Sequence, residues 1–179
     1  MNKDKFPAAK QNKAHAARVR LFQILCAIDS SGENLPLPEL VERLRELFTA
    51  SSSDREDWDG GTEENSSEDQ PSAGILQNLD SLGKSCAAAC SVRENLAEID
   101  SLITDNMTGW TIDRLSVVDR TIIRLAVYEC MIAHTVNVKV ALSEAVLLAQ
   151  EFGSEESPRF VNGVLARIVN AAAENDQKS

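Results

Sequence analysis

The side chains able to do chemistry fall into two groups. The first is a basic run at the start of the chain, where Lys3, Lys5, Lys10, Lys13, Arg18 and Arg20 stand against Asp4 alone within residues 1–20. Ammonium and guanidinium groups at this density suit charge-assisted hydrogen bonds to phosphate oxygens, while His15 and Phe6 offer flat surfaces on which an unpaired base could stack. An ordinary solvated helix border has the same composition. The second group is Cys26, Cys86, Cys90 and Cys130 with the other imidazole, His134. There is no Cys-x-x-Cys pair. Cys86 and Cys90, four apart, could chelate or cross-link in principle, but four thiols on or beside apolar stripes are expected to be reduced and buried, with no metal site. No Gly-rich phosphate loop and no nucleophile beside a base is visible, so neither an enzyme nor a cofactor is expected, and no residue is assigned a catalytic role.

One carboxylate stands apart. Ser116-Val117-Val118-Asp119 has capping-box spacing, and no Pro or Gly interrupts Arg120 to His134, so a helix starts at Ser116. At 100° per residue, Asp119, Arg120, Arg124 and His134 share one stripe and nearly everything else is apolar, as for a helix central to a bundle. Glu129 falls on the opposite side, where an unpaired carboxylate would cost several kcal/mol. It needs a partner, either backbone N–H groups or an Arg such as Arg114, and its expected role is structural.

The elements around that helix follow from spacing. From Lys10 to Asp29, Ala14, Ala17, Leu21, Ile24, Leu25 and Ile28 form a buried stripe, bordered by Lys13 and Arg20 on one side and Arg18 on the other. Pro36 and Pro38 introduce a helix with Leu40, Val41, Leu44, Leu47 and Phe48 that ends near Thr49. Residues 50–73 hold eight acids against Arg55, the composition of a disordered acidic insert, with Trp58 isolated inside it. Ile75 to Ile103 reads as one long helix at near-heptad spacing, broken by Asn106 to Trp110 around Gly109. After an extended link from His134 to Lys139, Val140 to Phe152 forms a helix with Ala141, Ala145, Leu148 and Phe152 on one face, stopped by Gly153. Ser157-Pro158 reads as a cap followed by Pro at the first helical position, with Phe160, Val164, Leu165, Ile168 and Ala172 facing inward. Gly163 inside that helix costs about 1 kcal/mol relative to Ala, which makes sense if another backbone or a partner comes close.

The 179 residues are 43% hydrophobic and 4% aromatic, with a formal net charge of -10. A core of Ala, Leu, Ile and Val without alternating runs favours helices packed on helices. The fold class expected is all-α, in one domain over residues 10–173, with helical parts 10–108 and 109–173 and flexible tails 1–9 and 174–179. No apolar run approaches the ~18 residues of a membrane span, and the Lys-rich start lacks the apolar region of a secretory signal, so a cytoplasmic location and no membrane contact are expected. The acidic balance suits an RNA binder only because the positive charge gathers at one end.

The run DRLSVVDRTIIRLAVYEC, followed by VKVALSEAVLLAQEFGSEESPRFVNGVLARI, resembles the C-terminal half of the NusB family of bacterial transcription antitermination factors. Its most specific pieces are Arg124 to Glu129, Glu144-Ala145 with Phe152-Gly153 downstream, and Phe160 to Leu165. ARVRLFQIL is similar to the family's first helix at Ala17, Arg18, Gln23 and Leu25. Departures are Ser143 for Asn, Glu156 for Asp, Cys26 for an aromatic, and a basic stretch thinned to Lys10, Lys13 and His15. The resemblance implies two small helical subdomains of about seven helices in total. It also implies binding of boxA-type single-stranded RNA together with the ribosomal protein NusE, within a transcription elongation complex. Lys10, Lys13, His15, Arg18, Arg20, Glu156 and Arg159 are then the residues expected to face RNA. Two alternatives stay open: an RNA-binding domain related to the N-terminal part of ribosomal RNA cytosine methyltransferases, and a helical protein adaptor without RNA contact. For the first, no room for a cofactor-binding sheet is expected after the helices.

Overall fold

The computed structural model describes residues 8–31, 39, 71–107, 109 and 111–176, and within them every regular element is helical. In chain order these are α1 (Ala8–Ser31), α2 (Pro71–Glu94), α3 (Leu96–Asp105), a 3-10 turn (Ile112–Arg114), α4 (Val117–Val127) continued by a π-helical turn (Tyr128–Ile132), α5 (Val138–Phe152) and α6 (Ser157–Asp176). Phe6, the helix expected after Pro36 and most of the acidic insert with Trp58 lie outside the described residues.

Helix α4 is the hub. It packs on α1, α3, α5 and α6, while α1 also lies along α2 and α5 lies along α6. Six of its eleven residues are buried, among them Ile122, Ile123 and Val127 with no exposed surface. Ser116 caps it as its spacing predicts: Asp119 N–H donates to Ser116 Oγ at 3.0 Å. The hydroxyl in turn donates to Asp119 Oδ2 at 2.8 Å. One core runs through all six helices, joining Phe22 and Ile24 of α1 to Val92, Ile99 and Ile103, and on to Leu148, Val161 and Ile168. Phe22 meets Phe152 with ring centroids 5.1 Å apart, a tilted aromatic contact that pins α1 on α5.

Several boundaries differ from the sequence reading, each for a local reason. The stretch expected as one helix from Ile75 to Ile103 starts earlier, at Pro71, so Pro71 to Ala73 belong to α2 rather than to the insert. It then divides at Asn95 (φ -99°, ψ 9°), whose side-chain amide donates to Ser91 O at 2.7 Å and competes with the helix's own hydrogen bonding. Helix α5 begins at Val138 because Asn137 Oδ1 accepts from Val140 N–H at 3.0 Å, a cap inside the presumed extended link. Ser157 does not cap α6 forward. It is buried, and its hydroxyl accepts from Ser154 N–H at 2.9 Å, closing the turn between α5 and α6. Gly153 does stop α5, though not through a left-handed backbone, since its φ is -92°. A Cβ there would lie 2.5 Å from Ser157 Cβ and 2.6 Å from Ala149 O, so close approach is what demands glycine.

All four thiols are free. Burial pushes each above its ordinary pKa, which keeps them protonated and unreactive.

Candidate nucleic-acid interface

Of the residues singled out at the start of the chain, Lys10, Lys13, His15, Arg18 and Arg20 lie on α1, where the structure divides them by role, and Lys3 and Lys5 lie outside the described residues. Lys13 is exposed, and Lys10 stands one turn earlier on the same helix. Arg20 is half-buried and donates from Nη1 to Ser81 Oγ of α2 at 2.7 Å.

Arg18 is a different case. It is 8% exposed, and its Nε sits 3.0 and 2.9 Å from the two carboxylate oxygens of Glu129. The buried carboxylate has the partner its position requires, but that partner is Arg18 and neither backbone N–H groups nor Arg114, which is exposed on the 3-10 turn. The expectation that Arg18 faces RNA therefore meets a guanidinium turned inward, because an unpaired Glu129 would be costlier than a lost surface cation.

Glu129 reaches α1 from the first turn beyond α4: Val127 (φ -61°, ψ -45°) and Tyr128 (φ -57°, ψ -51°) both keep α-helical dihedrals, so its direction follows from the helix itself. At Tyr128 the hydrogen bonding widens, with Ala133 N–H donating to Tyr128 O at 2.8 Å, which adds a residue to the turn and rotates the side chains beyond it. Glu129 O then accepts from Thr135 N–H at 2.9 Å, and His134 takes a left-handed backbone (φ 49°) to end the helix. Backbone and side chain of Glu129 are thus both anchored.

His15 is also engaged. Its Nδ1 is 2.8 Å from Glu144 Oε2 and its Nε2 is 3.3 Å from Glu151 Oε2, both on α5. The hydrogen bond to Glu144 raises its pKa above the ordinary value; Glu151 and the charges of both carboxylates add to this, and desolvation opposes it. Glu144 also lies 3.7 Å from Arg18 Nη1, so Glu129, Arg18, Glu144, His15 and Glu151 form one chain of charge across α1, the π turn and α5.

A second network, invisible as such in the sequence, ties α1, α3 and α4. Arg124 Nε and Nη2 each donate to Asp100 at 2.7 Å, while Nη1 donates to Asp29 at 3.0 Å. Arg120 also donates to Asp29. Burial works against the Arg124 charge, but the Asp100 and Asp29 carboxylates outweigh it and the pKa is raised.

At the other predicted site, Glu156 and Arg159 are exposed on the rim of a cleft of about 800 Å³ between the end of α3 and the start of α6. Asn106, Met107, Phe160, Gly163 and Arg167 line it as well. Phe160 and its neighbours were legible only as core, whereas Gly163 was the available signal. Among the described residues, leaving aside the helix's own backbone, no atom lies within 4 Å of where its Cβ would be, and the position borders the cleft. The described lining combines cations, carboxylates and an aromatic ring, which suits binding an extended polar ligand.

Comparison with known proteins gives a consistent picture. A model of the NusB family matches residues 15–170. Among curated proteins, the transcription antitermination protein NusB of Thermobifida fusca is 33% identical over 160 residues, spanning 89% of this chain and 91% of that protein. Among solved structures, T. maritima NusB superposes with a TM-score of 0.60 at 27% identity, covering 87% of this chain and 89% of that one. A chain from the complex of antitermination factors NusB and NusE with dsRNA superposes with a TM-score of 0.59, covering 88% and 96%. At 24% identity, that last likeness bears on the fold alone.

Proposed function

This chain belongs to the NusB family, and we propose that it is a non-enzymatic transcription antitermination factor that binds boxA-type single-stranded RNA together with the ribosomal protein NusE. The observation that carries this reading is the similarity to the Thermobifida fusca antitermination protein over nine tenths of both chains. Action within the transcription elongation complex, in the cytoplasm, extends the same reading; among the described residues no helix is long and apolar enough to cross a membrane.

For the interface, the basic start of α1 with Lys10, Lys13 and Arg20 supplies phosphate contacts, and Arg159, Glu156 and Phe160 at the cleft supply the second contact area. The domain spans residues 10–173, with its helical parts meeting near Gly109. Arg18 and His15 serve this surface from behind, by fixing α1 on the π turn and α5.

Titrating boxA-type RNA against the protein, alone and with its own NusE, tests the proposal. With about three to five phosphates neutralised on a single strand, log K against log[salt] should slope by roughly -2 to -3.5, and NusE should tighten binding. The inward-turned Arg18 and engaged His15 leave fewer free cations, which favours the adaptor as second reading. NusE binding with a salt slope near zero for RNA would establish that one instead.

A further inference from the structure

The described side chains at the start of α1 are mostly exposed. Among its described side chains before Arg18, Lys13, Ala14, Ala16 and Ala17 are exposed and His15 alone is half-buried, whereas Leu21, Phe22, Ile24 and Leu25 anchor the later turns in the core. Among the described residues, His15 is thus a tie between the helix's basic beginning and α5.

That tie has an unusual form, because both ring nitrogens face carboxylates. Ionised carboxylates only accept hydrogen bonds, so the imidazolium, which donates from both nitrogens, satisfies Glu144 and Glu151 together. A neutral ring donates from one nitrogen and turns a lone pair toward the other carboxylate. The surrounding charges favour the same state. Arg18 on α1 bonds Glu129 of the π turn and lies 3.7 Å from Glu144, while Glu151 meets His15, so the carboxylates beside the ring favour a proton on it. Lys13 on α1 is exposed, and Lys84 of α2 lines the groove beside Ala14 and Ala17.

We propose that Glu144 and Glu151 are positioning residues, a receptor for the protonated His15 ring that sets the basic start of α1 on α5, so that RNA affinity at this end falls as His15 loses its proton. The proposal rests on the RNA-binding reading above. Glu144, at 2.8 Å with its side chain 13% exposed, is the main partner, and Glu151, at 3.3 Å and 51% exposed, is the one that solvent and salt weaken. The pH window is set by the direction of the shift. With the folded-state pKa raised, the stabilisation is fully present below the ordinary histidine value of 6.5 and is lost as pH rises through the raised value.

The test uses the full-length protein in two arms. Without RNA, NMR tracks the His15 ring titration and the amide protection of residues 9–16. With a boxA-type RNA oligonucleotide, affinity is measured at about pH 6 and about pH 8.5, on either side of histidine titration. Wild-type affinity should weaken by about twofold to fivefold at the higher pH, the range a partly exposed ion pair contributes. His15→Arg should hold the tighter value at both, His15→Gln the weaker value at both, and Glu144→Gln should bring the ring titration down toward its ordinary value. His134→Asn should keep the wild-type profile. A wild-type pH profile in His15→Gln, or an unchanged His15 titration in Glu144→Gln, overturns the proposal. Absence of RNA binding at either pH would remove the RNA-binding reading, and with it the proposed effect on affinity, while the RNA-free arm still decides whether the carboxylates position α1.

Discussion

Arg18 Nε on α1 lies within 3.0 Å of both carboxylate oxygens of Glu129, 111 residues away on the π-helical turn. The pair closes α1 onto the end of the central helix, a guanidinium sent inward from one meeting a carboxylate carried just past the other. Removing either partner takes from the other, nearly buried, its closest opposite charge, and Arg18 then keeps only Glu144, 3.7 Å from its Nη1. Arg18→Ala and Glu129→Ala should each cost about 3 kcal/mol, and the double variant clearly less than the sum. Urea melts give the three values; the folded fraction of each variant should retain RNA affinity. A small stability change in Arg18→Ala together with collapsed RNA binding would place Arg18 in the interface instead.

Arg124 spans two carboxylates from two helices, and its fork geometry is what lets one side chain do so. Lysine keeps the charge and loses the fork. Arg124→Lys should therefore destabilise the protein by roughly 1–2 kcal/mol, since a charged hydrogen bond contributes on that scale. Equal denaturation midpoints for variant and wild type would refute this.

Two glycines should respond in opposite directions. Gly153→Ala forces a Cβ against Ser157 Cβ and Ala149 O and should cost about 1–3 kcal/mol. Gly163→Ala adds a methyl where none of the described residues outside the helix's own backbone lies within 4 Å and should stabilise α6 by about 0.5–1 kcal/mol. If the cleft beside Gly163 receives RNA or NusE, the same methyl weakens that binding even as the melting temperature rises. Unchanged affinity in a stabilised Gly163→Ala would take the cleft out of the interface.

The cap of the central helix is a single hydroxyl. Ser116→Ala removes the acceptor for Asp119 N–H and should cost about 1 kcal/mol, measurable by thermal melts. Ser116→Asp, which keeps an acceptor, should recover most of it, although Asp119 would then lose the hydroxyl that donates to it.

What the chain could determine by itself was whatever depends on neighbours close in sequence. The cap at Ser116, the buried stripe of Leu21, Ile24 and Leu25, the central helix Ile122 to Val127 and the stop at Gly153 all come from periodicity, capping chemistry and the absence of breakers. So did the requirement that Glu129 have a partner, because the cost of an unpaired buried carboxylate does not depend on knowing the fold. Which partner it takes is another matter. Arg18, Arg114 and the backbone all satisfy the same chemical demand, and spacing cannot choose between a guanidinium 111 residues away and groups much nearer in sequence. The choice was made by tertiary packing: the crossing of α1 with α4 sets Arg18 against Glu129, and the contact of Phe22 with Phe152 holds α1 across α5. The same crossing brings His15 to Glu144 and Glu151, and that of α4 with α1 and α3 brings Arg124 to Asp29 and Asp100. A cation's neighbours decide whether it is a ligand contact or an internal tie, and those neighbours exist only once helices distant in sequence have packed.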